Sequence, residues 1–224
     1  MITNNSTRPI IRPATEADVP FLAWVLLQAE ASGTQVISYQ RLFQLADNEL
    51  QDLVTTLLEE EIAGCDLSYV NYAIAEVDGQ PAGACAAWIE AQGHAPCQLI
   101  RGQMLAYALG PERLQAAKPR LDILAELNLN RTPGSLQLES FAVRPEYRGR
   151  QISTQLIHHH LQHYQAAHPA PALAEIQLMA ENETALHAYL KAGFEVAERR
   201  NSAHPDITRL LPGREKILLR RALR

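Results

Sequence analysis

Leu138-Glu139-Ser140-Phe141-Ala142-Val143-Arg144-Pro145-Glu146-Tyr147-Arg148-Gly149-Arg150-Gln151-Ile152-Ser153 joins a strand pattern to a helix pattern through a basic turn. Leu136, Leu138 and Ser140 alternate with Gln137, Glu139 and Phe141, the two-residue period of a strand. Pro145 has no N–H to give a ladder and ends the run. From about residue 149 to 167 the period changes, and Ile152, Leu156, Ile157, Leu161 and Tyr164 form one helical stripe. Strand, glycine-containing turn and helix in that order aim unpaired backbone N–H groups and the positive helix end at one point. Such a point suits a pyrophosphate, although many strand–turn–helix units bind nothing.

Downstream of this unit, residues 173–179 read as another strand. Residues 182–192 read as a short helix closed by Gly193, and 194–198 and 215–223 as the last strands. Upstream, Pro133-Gly134 punctuates the end of a less regular stretch, 91–132, with helical pieces at 99–109 and 112–127. Asp78-Gly79 between apolar segments at 71–77 and 82–90 predicts a hairpin. A helix is predicted over 39–61, with Leu42, Leu45, Leu53, Leu57 and Leu58 on one side. Another carries Phe21, Leu22, Val25, Leu26 and Ala29 after a Thr15/Asp18 capping box, and residues 9–13 open the fold as a strand. Strands and helices are mixed without strict alternation, which predicts an α/β or α+β sheet domain.

At 224 residues, one domain spanning 1–224 is expected. Apolar residues make up 47%, enough for a sizeable core. A formal net charge of −5 argues against nucleic acid as a partner, because phosphate binding needs a basic face, and mildly favours cationic ligands such as amines. Cys65, Cys85 and Cys97 show no CxxC spacing, so neither a disulfide framework nor a zinc site is expected. Residues 1–20 lack the apolar run of a signal peptide, and the densest apolar stretch, 19–27, is too short to span a bilayer. No membrane partner and a cytoplasmic location are therefore expected.

The segment quoted first resembles the coenzyme A motif of the GNAT superfamily of acetyltransferases, whose core pattern is Q/R-x-x-G-x-G/A. Arg148 fills its first position, the pattern's glycine falls on Gln151, and its last Gly or Ala falls on Ser153. A second similarity lies in Asn182-Glu183-Thr184-Ala185 followed by Tyr189-Leu190-Lys191-Ala192-Gly193-Phe194. Ile11-Arg12-Pro13-Ala14-Thr15-Glu16-Ala17-Asp18 is similar to a usual opening of the family, and only 91–133 has no counterpart. The resemblance implies a mixed, mostly antiparallel sheet flanked by helices and splayed at the acyl-CoA site. It also implies transfer of an acetyl group from acetyl-CoA to a primary amine of a small molecule or polypeptide.

Residue by residue, the resemblance implies that backbone groups of Phe141, Ala142 and Val143 pair with the pantetheine arm like an added strand. Loop amides of Gly149, Arg150, Gln151, Ile152, Ser153 and Thr154 would hold the pyrophosphate, with Arg148 and Arg150 adding charge unless they are simply solvated. Gln151 is expected in the first helical turn, where φ > 0 is not needed. Tyr189 matches the tyrosine that protonates the departing thiolate, a role open to a phenol of pKa about 10, and is otherwise a core tyrosine. Asn182 could bond the pantetheine amide or cap its helix.

An amine of pKa about 10.4 is neutral in roughly one molecule in 2,500 at pH 7, so a base would help. Glu139 is the candidate, its side chain expected on the side of Gln137 and Phe141, unless it is only a strand-surface carboxylate. His159 and His163 have the i, i+4 spacing that can share an ion, but no cysteine or carboxylate nearby completes a set. An exposed polar face, with His160 nearer the core, is the expectation, and no metal. The unmatched segment 91–133 is expected to shape the acceptor side or to make an oligomer contact, such as that of a homodimer. A non-catalytic acyl-CoA sensor is the alternative function, motivated by Gln151 and Ser153.

Overall fold

Seven strands form one sheet: β1 (Ile10–Pro13), β2 (Tyr72–Val77), β3 (Gln80–Ile89), β4 (Leu136–Val143), β5 (Leu173–Met179), β6 (Glu195–Asn201) and β7 (Glu215–Ala222). Their spatial order in this computed structural model, which describes residues 8–93 and 95–223, is β1-β2-β3-β4-β5-β7-β6. Every pairing is antiparallel except β4 with β5. The expected Asp-Gly hairpin joins β2 to β3: Val77 pairs with Gln80, and Asp78 and Gly79 take φ of 52° and 74°. Two positive φ values are what a two-residue type I′ turn needs, and Asp-Gly supplies them cheaply.

Each face of the sheet carries its own apolar layer. On one side lie α1 (Val19–Ala31), α2 (Ser38–Phe43), α3 (Asp47–Glu59) and α4 (Cys97–Ile123). On the other lie α5 (Ile152–Gln165) and α6 (Glu183–Lys191). A last short helix, α7 (Ile207–Leu210), sits in the β6–β7 connection and puts Leu210 into the first layer beside α2. Residues 39–61 form two helices instead of the one expected. Gln44 closes α2 in a left-handed conformation (φ 53°), and Glu49 accepts from the Ala46 N–H to start α3. Within α4, Gly110 (φ 74°, ψ 164°) followed by Pro111 breaks the axis, so two helical pieces emerge as the sequence suggested. Among the described residues, no helix is long and apolar enough to cross a membrane.

α5 is fixed to the sheet by polar contacts as well as by its stripe. Tyr164 donates to the Ala87 carbonyl (2.9 Å), and buried His160 donates from Nε2 to the Cys85 carbonyl (3.1 Å). Gly83 on β3 lets α5 approach: a Cβ there would meet the Ala142 carbonyl oxygen at 3.0 Å and the Ile152 side chain at 3.2 Å. Burial, opposed by the bond to Cys85, pushes the His160 imidazole down to about 4. An unfolded histidine titrates near 6.5, so below that pH the unfolded chain takes up a proton that folded His160 refuses. Stability present above pH 6.5 is therefore lost as pH falls toward 4, by roughly 3 kcal/mol at 1.36 kcal/mol per pKa unit. A His160→Gln variant, which keeps a donor without the titration, should show a flatter melting temperature between pH 6.5 and 4. An unchanged slope would assign the acid sensitivity to other groups.

Candidate active site

β4 and β5 are hydrogen-bonded only at their starts, Leu136 with Ala174 and Gln137 with Glu175. Beyond that the two strands part, each held on its outer side by β3 and β7. A cluster of polar groups fixes the fork. The fully buried Glu175 accepts from the Thr132 N–H (2.8 Å) and hydroxyl (2.7 Å), the Ser135 hydroxyl (3.1 Å), Gln137 (2.8 Å) and Arg220 (2.9 Å). Burial alone would raise its pKa, but bonds from Thr132, Gln137 and Arg220 outweigh burial and hold the carboxyl below its ordinary range.

A β-bulge then redirects β4. Ala86 faces Glu139 and Ala84 faces Ala142, so Ser140 and Phe141 together oppose Cys85, with Ser140 at φ 51°. The extra residue breaks the two-residue period. Glu139 shares a face with Gln137 as expected but not with Phe141, which turns to the α5/α6 side with Val143. Glu139 instead points into the α1–α4 side as a half-buried carboxylate. Arg131 donates to one of its oxygens, and Arg101 lies 3.6 Å from the other.

This charged cluster continues inward. Arg101 also pairs with Asp66 (3.0 Å), donates to the Tyr39 hydroxyl (2.6 Å) and approaches Glu30 (4.0 Å). Ser140 donates to the other Asp66 oxygen (2.6 Å). Burial pushes the Glu30 carboxyl and the Tyr39 phenol up from their ordinary values. Glu30, Tyr39, Asp66, Arg101 and Arg131 were not singled out from the sequence. They come from five separate elements or loops, and no spacing links them; Arg101 and Arg131 lie in the stretch that matched no pattern.

At the far end of β4, the turn from Arg144 to Gln151 leads into α5. Gly149 has φ of 79°, and Gln151 is not a first-turn residue: it stands just before the helix, left-handed at φ 59°, with its side chain exposed. The sequence expectation for Gln151 is thus corrected, since this position does use the conformation that glycine accepts most easily. The first i→i−4 bond of α5 runs from Gln155 N–H to the Gln151 carbonyl (3.0 Å). The amides of Ile152, Ser153 and Thr154 precede that ladder and have no i−4 partner in the helix. Ile152 itself is buried under the sheet, so only its backbone can face a ligand. Arg148 and Arg150 are exposed; Arg150 lies over the Tyr147 ring at 5.4 Å. Gln151→Gly should stabilise the fold by about 1 kcal/mol through relief of the left-handed backbone. That is a rise of about 2–4 °C in melting temperature for a chain of this size, and a fall would mean the Gln151 side chain holds a contact.

Tyr189 packs against Phe141 of β4 in the α5/α6 layer. It comes from α6, is 8% exposed, and meets the Phe141 ring edge-on at 6.0 Å between centroids. Among the described residues its hydroxyl has no hydrogen-bond partner. Burial, with the Cys85 thiol and Glu139 nearby, holds the phenol above its ordinary pKa and so protonated. Asn182 caps α6 by accepting from Ala185 N–H (3.2 Å), and its amide donates to Ser32 in the α1–α2 loop (3.2 Å). Both ends of that side chain are engaged, so a bond to a pantetheine would replace one of these. His159 and His163 stack at 6.3 Å, and among the described residues no three His, Cys, Asp or Glu side chains gather to hold a metal.

Solved structures share this architecture across nearly the whole chain. An N-acetyltransferase from Staphylococcus aureus Mu50 aligns over 95% of this chain and 100% of its own, with a TM-score of 0.62 and 17% identity. A polyamine N-acetyltransferase from Drosophila melanogaster aligns over 96% and 100%, with a TM-score of 0.58 and 14% identity. A ribosomal-protein-alanine N-acetyltransferase from Brucella melitensis aligns over 96% and 99%, with a TM-score of 0.51 and 17% identity. At such identities the likeness speaks to the fold. No curated protein sequence matches the chain. The family model described as "Acetyltransferase (GNAT) family" matches residues 39–194, more than half of the sequence and including the fork, the turn and Tyr189. With the parted β4 and β5, that match places the chain in the GNAT family of acetyltransferases.

Proposed function

We propose that the protein transfers an acetyl group from acetyl-CoA to a primary amine of a small molecule or a polypeptide. The observation that carries this reading is the parting of β4 from β5, with open helix-start amides at one end and, against Phe141, a phenol that has no partner among the described residues. The free edge of Phe141, Ala142 and Val143 suits a pantetheine arm, whose amides can pair like a strand. The turn from Gly149 to Thr154 suits the pyrophosphate through backbone N–H groups and the helix dipole. Arg148 and Arg150 add charge at the rim. Tyr189 suits the departing sulfur as proton donor. Glu139, with both oxygens engaged by arginines, serves in this reading to hold Arg101 and Arg131 in place at the fork.

Acetyl-CoA at 100 times its Kd should stabilise the protein by about 2.7 kcal/mol in thermal melts, and desulfo-CoA should do nearly as well. A panel of amines and peptides, followed by mass spectrometry for acetylated product and by release of free thiol, tests the reaction itself. An enzyme releases coenzyme A only when an acceptor is present. Binding without release against any acceptor would favour the non-catalytic sensor, and no thermal shift at millimolar coenzyme A would end both readings.

A further inference from the structure

Inside β4 the backbone turns left-handed at Ser140, with φ of 51°. Residues with a Cβ avoid that conformation, because the Cβ crowds the following carbonyl oxygen. The other non-glycine residues with positive φ are Ser32, Gln44, Asp78, Ala91 and Gln151, and all of them stand at turns or helix ends. Among the described residues, Ser140 alone takes it in the interior of a strand. Left to itself, a serine there would return to the extended region. Phe141 would then share a face with Glu139, as a strict period of two requires.

Its side chain is anchored. The Ser140 hydroxyl donates to Oδ2 of Asp66 at 2.6 Å, and Asp66 is 2% exposed. The other Asp66 oxygen accepts from Arg101 (3.0 Å), so the carboxylate cannot turn away without losing a charged partner. The Asp66 carbonyl accepts from the buried Tyr72 hydroxyl (2.8 Å) at the start of β2. The loop that carries Asp66 is stapled in turn: Asn71 accepts from the Gly64 N–H (3.2 Å) and donates to the Ile62 carbonyl (2.9 Å). On the other face, the residue opposed by the bulge is Cys85, whose carbonyl takes the His160 bond. The bulge is thus held from both faces. The segment it displaces is Phe141 to Val143, where β4 stays on β3 and no longer pairs with β5.

We infer that Asp66 is a positioning residue for acetyl transfer, acting through left-handed Ser140. This rests on the acyl-transfer reading above. By fixing Ser140, Asp66 sets which way Phe141 faces and where the edge of Phe141, Ala142 and Val143 stands against Tyr189. In that reading the same edge holds the pantetheine arm, so the anchor sets where the thioester meets the amine and the phenol. No contact between Asp66 and either substrate is needed for this role. A misplaced thioester costs rate more than affinity, because the rest of the cofactor keeps its own contacts.

The test is steady-state kinetics with acetyl-CoA and whichever amine the panel identifies, alongside thermal melts, in wild type and three variants. Ser140→Ala should lower kcat by roughly 10- to 100-fold and leave the KM for acetyl-CoA within about threefold, the mark of a reacting group displaced by about 1 Å. Ser140→Gly should recover kcat to within about threefold of wild type, because glycine takes a positive φ without an anchor. Asp66→Ala should match Ser140→Ala when made alone, and cost little further in the Ser140→Gly background, since the two residues act as one unit. Should Asp66→Ala fail to fold, the two Ser140 variants decide the matter by themselves. A Ser140→Ala variant that melts lower yet turns over normally overturns the inference, because the anchor then serves stability alone. So does a Ser140→Gly variant as slow as Ser140→Ala, because the hydroxyl would then act by other means than backbone conformation. Both results leave the acyl-transfer reading standing. If the wild type acetylates no amine, that reading falls and takes the inference with it.

Discussion

Tyr189→Phe is expected to lower kcat by roughly 10²–10⁴, the usual worth of a general acid. The phenol is buried, protonated and without a partner among the described residues, so in the proposed role its hydroxyl is free to meet a developing thiolate. The same burial that makes its ionisation costly also makes a bare thiolate beside it costly. Proton transfer between the two moves charge within one environment and creates none. The affinity for acetyl-CoA should change little, because the hydroxyl matters chiefly as charge builds on sulfur. The ring keeps its edge-on contact with Phe141 in the variant, so melting temperature should hold within a few degrees. Single-turnover kinetics alongside a thermal melt would decide the matter. A variant with near-normal turnover makes the tyrosine structural and assigns the proton to water.

Glu175→Ala is expected to cost about 3–5 kcal/mol of stability, the penalty for breaking a buried charge pair by removing one partner. Five donors converge on this carboxylate, and the substitution leaves the Thr132 N–H and the Arg220 guanidinium facing a void. For a chain of this size each kcal/mol moves the melting temperature by about 2–4 °C, so a drop of about 6–20 °C should be seen. Gln137 and Glu175 form the last pair between β4 and β5, so loosening them frees the apex of the fork. Acetyl-CoA affinity should weaken along with stability. A loss under 1 kcal/mol would show that water satisfies the stranded donors and that the fork is held by strand pairing alone.

Local signals carried most of the architecture. The Asp78-Gly79 hairpin, the Gly193 helix stop and the stripe of α5 all form where the sequence put them, because each depends on neighbours within a few residues. Errors arose where one residue's conformation altered what followed. Gln44 in a left-handed conformation splits 39–61 into α2 and α3, although the leucine pattern runs through it. Ser140 does the same to β4: a single bulged residue sends Phe141 to the opposite face from Glu139, which a strict period of two does not allow. Glutamine and serine carry no strong positive-φ signal, unlike glycine or asparagine, and so neither break was visible.

The strand–turn–helix from Leu138 to Ser153, with the Asn182 to Phe194 segment, is a local pattern, and the sequence by itself determined from it the family and the short helix that carries Tyr189. What surrounds Glu139 was decided only by the tertiary structure. Glu30, Tyr39, Asp66, Arg101 and Arg131 are scattered from residue 30 to residue 131 and share no spacing, yet the helices stacked on one face of the sheet bring them to one point. Long-range electrostatics leaves no periodic trace in a sequence. A charge's partner, its burial and hence its proton affinity are properties of the packed layers, not of the residues beside it in the chain.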